Sequence, residues 1–306
     1  MADLLIGLDW GTSACRAYLM RRDGTVLETR AGDEGILAVP AGGFDAVLAS
    51  KIAGWRAAYG PLPMIASGMI GSRQGWREVP YADCPAGAAE IARGLRPIVW
   101  NAGRRRGWIA PGLSYRDANG IPDVMRGEET QIIGALADLP EGEATICLPG
   151  THSKWVRWRD GRIVAFATAM TGEVFAVLRR HSILGRLMSE TDAGHDGAAF
   201  AAGLRRAAEK GGLLHHLFGA RTRGLFDEVA EGALPSYLSG ILIGHEIAAL
   251  APSEGVVHLI GAPGLVALYR EALAARGCDS RMLDSDCVAR GLFLLASHLP
   301  PGEIDA

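Results

Sequence analysis

The 306-residue chain is long enough for one large domain or two ordinary ones, and 49% apolar against 21% charged residues sets it to fold rather than stay disordered. A net charge of −3 without a long basic tract argues against a nucleic-acid partner. The start lacks a basic leader, the longest apolar window (237–250) is broken by His245 and Glu246, and the five cysteines form no CxxC pair, which reads as a reduced, cytoplasmic protein without a membrane span or structural zinc.

Residues 4–8, LLIGL, form a short apolar run suited to a strand covered on both faces. A polar loop follows, Asp9-Trp10-Gly11-Thr12-Ser13. Then come a strand over 15–20, an Asp23-Gly24 turn and a third strand over 25–29. Gly11 lets an anion approach the backbone, and Thr12 and Ser13 offer hydroxyl and N–H donors. Asp9 would repel a bare phosphate but suits one that carries hydrated Mg²⁺. On this stretch alone the loop reads equally as an ordinary hairpin with a solvated carboxylate.

Phe44, Val47, Leu48, Ile52, Trp55 and Tyr59 recur at roughly helical spacing, which predicts one helix over 44–59, ended by Pro61 and Pro63. A short buried strand over 64–66 leads into the loop 67–76. Loops at that end of a strand commonly line the ligand crevice of an α/β sheet. This one holds Ser67, Gly68, Met69, Ile70, Gly71, Ser72, Arg73 and Gln74. The bland alternative is a surface loop with a stray arginine. Residues 127–137 read as a helix burying Ile132, Ile133 and Leu136, with Glu128 and Glu129 in the first turn, where the helix dipole favours negative charge.

Residues 144–168, ATICLPGTHSKWVRWRDGRIVAFAT, repeat the opening pattern: apolar strand, Gly150-Thr151-His152-Ser153 loop, strand, Asp160-Gly161 turn, strand. The loop glycine precedes the turn aspartate by 12 residues in the first copy and 10 in the second. Such an internal repeat predicts two similar domains, each offering a loop to one polyphosphate. Lys154, one of only three lysines, borders the second loop, or is simply a solvated strand residue. Thr171 is placed to cap a helix carrying Val174, Val177, Leu178, Leu184 and Met188. The stretch 191–203, with Asp192, His195 and Asp196, reads as a capped helix start rather than a metal cluster. A strand over 256–260, the turn Gly261-Ala262-Pro263-Gly264 and a helix over 265–275 complete the series. Walker A, GxGxxG, HExxH and GxSxG patterns do not occur.

The doubled loops resemble those of the sugar kinase–actin superfamily, in which two ribonuclease-H-like domains close on ATP. Asp9 to Ser13 matches its first phosphate loop, and Leu148-Pro149-Gly150-Thr151-His152-Ser153-Lys154 its second. The turn from Gly261 to Gly264 matches the small-residue element that holds adenosine. Four longer stretches are more specific: ASGMIGSRQGWREVPYADCPAG (66–87), PDVMRGEETQIIGAL (122–136), LPGTHSKWV (148–156) and TGEVFAVLRRHSILGRLM (171–188). Together they resemble the 2-dehydro-3-deoxygalactonokinase family, over residues 4 to about 295.

That resemblance implies an α/β fold of two ribonuclease-H-like (actin-like ATPase) domains with a nucleotide cleft between them. Residues 1–142 would carry the first phosphate loop and the sugar-acid site, and 143–306 the second loop and the adenosine motif. It implies ATP-dependent phosphorylation of 2-dehydro-3-deoxy-D-galactonate to its 6-phosphate in galactonate breakdown, with ATP and Mg²⁺ as cofactors. Asp9 would hold the metal through water. Gly11, Thr12, Ser13, Gly150, Thr151, His152, Ser153 and Lys154 would meet the phosphates, and Gly261 and Gly264 the adenosine. Ser67, Gly68, Met69, Ile70, Ser72 and Arg73 would meet the acid, with Arg73 as a fork for its carboxylate. Glu128 is the first choice of general base, then Glu129, then Asp123. This departs from the aspartate more usual in such kinases. The rival readings are a kinase for 2-dehydro-3-deoxygluconate, a polyphosphate or nucleotide phosphatase, and a nucleotide-dependent sensor without catalysis. The expected partners are small molecules, with no nucleic acid or membrane; a homodimer is left open.

Overall fold

The computed structural model describes residues 4–100, 105–189, 194–284 and 287–300, and the chain divides into two compact units. The first takes Met1–Glu143, Arg157–Phe166 and Asp284–Ala306; the second takes Ala144–Val156 and Ala167–Leu283.

The N-terminal part of the chain forms β1 (Leu4–Trp10), β2 (Cys15–Arg21), β3 (Val26–Gly32), α1 (Phe44–Lys51), α2 (Ala53–Tyr59), β4 (Met64–Ser67) and β5 (Ala82–Asp83). These are followed by α3 (Ala88–Arg93), β6 (Arg96–Trp100), β7 (Arg105–Ile109), β8 (Leu113–Arg116), β9 (Pro122–Met125) and α4 (Glu128–Gly134). A six-stranded sheet runs β3-β2-β1-β4-β7-β6, and β5, β8 and β9 form a small second sheet. β1 is central, antiparallel to β2 and parallel to β4. Both its faces are covered, which is why LLIGLDW is almost continuously apolar. β3 lies at the edge and is largely exposed, so it tolerates Glu28, Thr29 and Arg30. The core gathers Leu8, Trp10, Leu48, Trp55, Trp100 and Ile109. Burial of each large side chain contributes about 2–3 kcal/mol.

Two elements differ from the sequence expectation. β1 does not stop before Asp9: Asp9 pairs with Arg16 on β2 and with Ser67 on β4, so the two ladders carry the strand through Trp10. The helix expected over 44–59 is broken at Ile52 into α1 and α2. Arg30 Nη1 donates to the Lys51 carbonyl at 2.9 Å, and an inserted side-chain donor of this kind kinks a helix.

The next elements are β10 (Glu143–Leu148), β11 (Ser153–Arg159), β12 (Arg162–Ala169), α5 (Thr171–His181), α6 (Gly197–Ala207), α7 (Gly212–Leu225), α8 (Leu234–Leu250), β13 (Val256–Leu259), α9 (Pro263–Ala275) and β14 (Asp279–Met282). Their sheet order, β12-β11-β10-β13-β14, repeats the β3-β2-β1-β4-β7 order of the first sheet. β13 runs parallel to both β10 and β14. At the second hairpin turn Asp160 and Gly161 both have positive φ, 47° and 80°, as a tight two-residue hairpin requires. Phe200, Leu259, Val266, Tyr269 and Leu273 form a core beside this sheet.

Helix α8 is apolar and largely buried, as a helix without a polar stripe must be. Thr171 does not cap α5. Met170 occupies the N-cap without a side-chain bond, and the Thr171 hydroxyl bonds to Glu246 instead. Asp196 does cap α6, accepting from Ala199 N–H at 2.8 Å. Thr191 and Asp192 lie outside the described residues. The last helix, α10 (Cys287–Ser297), belongs to the first unit and crosses α4 closely. A Cβ on Gly134 would fall 1.8 Å from the Cys287 carbonyl oxygen, and one on Gly291 2.0 Å from that of Thr130.

Candidate active site

In the first unit three chain segments converge. The parallel register sets Asp9 on β1 beside Ser67 on β4. Gly68 follows, and a Cβ there would lie 2.8 Å from the Trp10 carbonyl oxygen and 3.5 Å from Asp9 Oδ1. Gly127, at φ 111°, turns the chain into α4; its Cβ would stand 3.3 Å from Gly68 Cα. Only a residue free of a side chain takes that φ at such a close approach. The first turn of α4 is thereby fixed near the end of β1.

The carboxylates of this cluster differ in environment. Burial holds the Asp9 carboxyl above the usual carboxylate range, with Arg16 opposing the shift. Glu129 is fully buried: Oε2 accepts the Gly127 N–H at 2.7 Å and Oε1 the Thr130 hydroxyl at 3.0 Å. Burial, with the Glu128 charge beside it, pushes its pKa up to about 7. Glu128 is half-buried, and its Oε2 accepts the Arg126 N–H at 2.9 Å. Of the two glutamates, Glu128 is the one that solvent reaches. Asp123, on β9, accepts from the N–H of Val124 at 2.7 Å.

The first glycine loop is pinned from behind. Gly11 N–H donates to the Ala14 carbonyl at 2.9 Å, and the Gly11 and Thr12 carbonyls accept from Ile36 and Leu37 at 3.0 and 3.2 Å. Gly11 therefore shapes the turn, while Thr12 and Ser13 stay exposed. Ser67 is the buried last residue of β4 rather than part of the loop; in the loop after it Ile70 is buried and Met69 packs against the core. The Arg73 side chain is 87% exposed and pairs with Glu78 at 3.1 Å.

Another guanidinium, Arg126, packs against that loop, and the sequence reading passed over it. Its Nη2 donates to the Val79 carbonyl at 2.8 Å, and its Cζ lies 4.3 Å from the Tyr81 ring centroid. A Cβ on Gly71 would come within 2.8 Å of its Nη1. Nε and Nη1 of Arg126 and the hydroxyls of Ser67 and Ser72 are buried without a hydrogen-bond partner. Buried orphan donors are rare in folded proteins and ask for a specific cause.

In the second unit, a cavity of about 630 Å³ is lined by Gly150 and Thr151 of the second loop, Thr171 and Gly172 at the start of α5, and Ala262 and Tyr269 around α9. The loop is clamped by α5: Glu173 N–H donates to the Thr151 carbonyl at 3.0 Å, and the Glu173 carboxylate pairs with His152 Nε2. Ser153 and Lys154 are buried on β11. Ser153 Oγ meets Tyr269 Oη at 2.8 Å, and Lys154 Nζ donates to Thr168 Oγ1 at 2.8 Å. Gly261 and Gly264 flank the start of α9, and nothing stands within 4 Å of a Cβ placed on Gly264. A larger depression of about 930 Å³ around Arg179, Arg180 and Arg186 carries none of these loop residues.

Among the described residues no group of three His, Cys, Asp or Glu side chains is arranged to hold a metal, and no helix is long and apolar enough to cross a membrane. A single carboxylate that reaches its ion through water needs no such cluster.

Two sheets of one strand order, each with a glycine–threonine loop after its first strand, define an α/β protein of the actin-like ATPase class. Residues 9–295 match the profile of the 2-keto-3-deoxy-galactonokinase family. The chain is 43% identical to "Probable 2-dehydro-3-deoxygalactonokinase DgoK1" of Rhizobium meliloti (strain 1021), over 96% of this chain and 97% of that one. It is 35% identical to the 2-dehydro-3-deoxygalactonokinase of Escherichia coli (strain K12), over 92% and 93%. The "Crystal structure of a putative 2-dehydro-3-deoxygalactonokinase protein from Sinorhizobium meliloti" superposes with a TM-score of 0.88 at 41% identity, covering 97% of this chain and 99% of that one. The chain belongs to the 2-keto-3-deoxy-galactonokinase family.

Proposed function

We propose that this protein transfers the γ-phosphoryl group of ATP to 2-dehydro-3-deoxy-D-galactonate and forms its 6-phosphate. The observation that carries the reading is the pair of carboxylates, Asp9 and Glu128, set at the end of β1 and the start of α4 around the turn at Gly68. Phosphoryl transfer asks a protein chiefly to position groups and neutralise charge. An attacking hydroxyl needs an acceptor for its proton, and Glu128 is the accessible one. Glu129 holds the Gly127 turn from inside.

Asp9 fits a water-mediated Mg²⁺ site, because a buried carboxylate is stabilised in its charged form by a nearby cation. When bound, Mg²⁺ neutralises phosphate charge. Thr12 and Ser13 are proposed donors to the phosphates from the first loop, turned outward by Gly11, and Gly150, Thr151 and His152 from the second. Ser153 and Lys154 support that loop from below. Gly264 leaves the backbone open to adenosine, and Gly261 lets the chain pass close to the Pro149 carbonyl. The acid is proposed to lie against Ser67, Gly68, Met69, Ile70 and Ser72, with Arg73 at the exposed rim and Arg126 beneath. The cytoplasm is the proposed location, since the described cysteines are all free thiols.

The test is coupled ADP release from the purified protein with Mg·ATP and a panel of 2-keto-3-deoxy sugar acids. Acid-stimulated ADP release, highest with the galactonate isomer, is expected. Phosphate release without an acid would make the protein a phosphatase, and nucleotide binding without stimulation would make it a sensor. Preference for the gluconate isomer would move the substrate assignment.

A further inference from the structure

Helix α8 is apolar for most of its 17 residues, yet Glu246 sits in it with 6% of its surface exposed. A buried carboxylate is costly unless donors surround it. Here they do. Trp155 Nε1 donates to Oε1 and Tyr269 Oη to Oε2, both at 2.7 Å, and the hydroxyls of Thr171 and Ser153 bond to the same carboxyl group. These partners come from β11, α9 and the start of α5. No lysine or arginine is among the bonds.

Burial raises the Glu246 pKa and the donors around it oppose that shift; in its ionised form the group only accepts, and it then fixes the direction of every bond that reaches it. Tyr269 must donate to Glu246. The Ser153 hydroxyl, 2.8 Å from Tyr269 Oη and bonded to Glu246 as well, then points its hydrogen toward that pair. Ser153 Oγ in turn keeps a lone pair for the Gly150 N–H at 3.5 Å. The bonds then run one way, from the Gly150 backbone to Ser153 and from there, directly and beside Tyr269, to the buried carboxylate. Gly150, Thr171 and Tyr269 also line the 630 Å³ cavity. A neutral amide at position 246 presents both a donor and an acceptor, and would let Tyr269 and Ser153 reverse.

We infer that Glu246 is a positioning residue for nucleotide: through Tyr269, Ser153 and Thr171 it sets the second glycine loop and the start of α5 against the phosphates. The inference rests on the reading of the second unit as the nucleotide-binding unit. It adds a set of residues that touch no substrate but determine how tightly the loop receives it. Loss of stability alone would follow from disturbing any buried network, so the readout must be nucleotide affinity.

The test uses the full chain with Tyr269→Phe, Ser153→Ala, Glu246→Gln and the Tyr269→Phe/Ser153→Ala double variant. Tyr269→Phe keeps the ring and removes only the relay hydroxyl. KM for ATP is expected to rise about tenfold or more in Tyr269→Phe and Glu246→Gln, while KM for the acid changes less than about twofold. Ser153→Ala on top of Tyr269→Phe should add less than about twofold, because the members act as one unit. Calorimetric affinity for a non-hydrolysable ATP analogue should fall in parallel. Folded Tyr269→Phe and Ser153→Ala variants with unchanged nucleotide affinity would overturn the inference, as would equal rises in both KM values or fully additive effects. Wild-type protein that binds the analogue but fails to phosphorylate the acid would instead remove the proposed reaction, and the affinity series would still decide the role of Glu246.

Discussion

Glu128 and Glu129 are neighbours in sequence and opposites in environment. Glu129 is sealed in with two donors, and its pKa of about 7 against an ordinary 4.5 makes it a proton store in the native state. The folded protein therefore binds more protons than the unfolded chain between these values. On this group's account stability is greatest below about pH 4.5, falls as pH rises through 7 and is level above, a total of about 3 kcal/mol. Glu129→Gln cannot ionise. Urea unfolding at pH 5 and pH 8 is expected to show the variant gaining about 2–3 kcal/mol on wild type between the two; a constant difference would remove the assignment. The two arginines at the loop after β4, the proposed acid site, contrast in the same way. Arg73 is exposed and paired to Glu78, an arrangement worth little. Arg126 is a fork with two buried, unpartnered nitrogens. Arg126→Lys is expected to raise KM for the acid by about tenfold or more, and Arg73→Ala by no more than about threefold. The opposite order would return the carboxylate to Arg73.

The elements that aim these side chains were unevenly legible in the sequence. The strands of the two repeats, β4 and β13, the Asp-Gly turns and the repeated loops could be read directly, because period and turn chemistry are local, whereas β5 to β9 and β14 were not read. The break between α1 and α2 could not, since it depends on Arg30 reaching Lys51 from a strand. The same holds for the support of the second loop: Ser153 meets Tyr269 across 116 residues and Trp155 meets Glu246 across 91. In sequence Glu246 is only an interruption of an apolar run. The crossing of α4 and α10 is equally silent, yet it positions the first turn of α4. Gly291→Ala would set a methyl 2.0 Å from the Thr130 carbonyl oxygen and force the helices apart. A loss of about 1–3 kcal/mol in stability is expected. A fall in kcat should accompany it, with KM for ATP little changed, because the displaced element carries Glu128 rather than the cavity proposed to take nucleotide. A destabilised variant with wild-type kcat would show that the crossing supports the fold alone.

At the scale of the whole molecule, the strand order β3-β2-β1-β4-β7 recurs as β12-β11-β10-β13-β14, but the two units have diverged in what surrounds the loops. The first keeps exposed Thr12 and Ser13, a pair of carboxylates and a guanidinium with two unpartnered nitrogens. The second keeps a cavity and a buried hydrogen-bonded network. Each unit has its own hydrophobic core, so each can be stabilised by its own ligand. Ligand bound only to the native state raises the free energy of local opening around its site by RT ln(1 + [L]/Kd), about 2.7 kcal/mol at a hundredfold excess over Kd. Hydrogen exchange resolves where that protection falls. A non-hydrolysable ATP analogue alone is expected to protect amides around 149–152, 171–175 and 262–269. The acid alone should protect those around 67–73 and 126–129, with slowing of about tenfold or more at the best-protected sites. If the acid protected the α5 and α9 segments and left the α4 segment unchanged, the division of labour between the two units would be wrong, and the roles of Glu128 and Arg126 would fall with it.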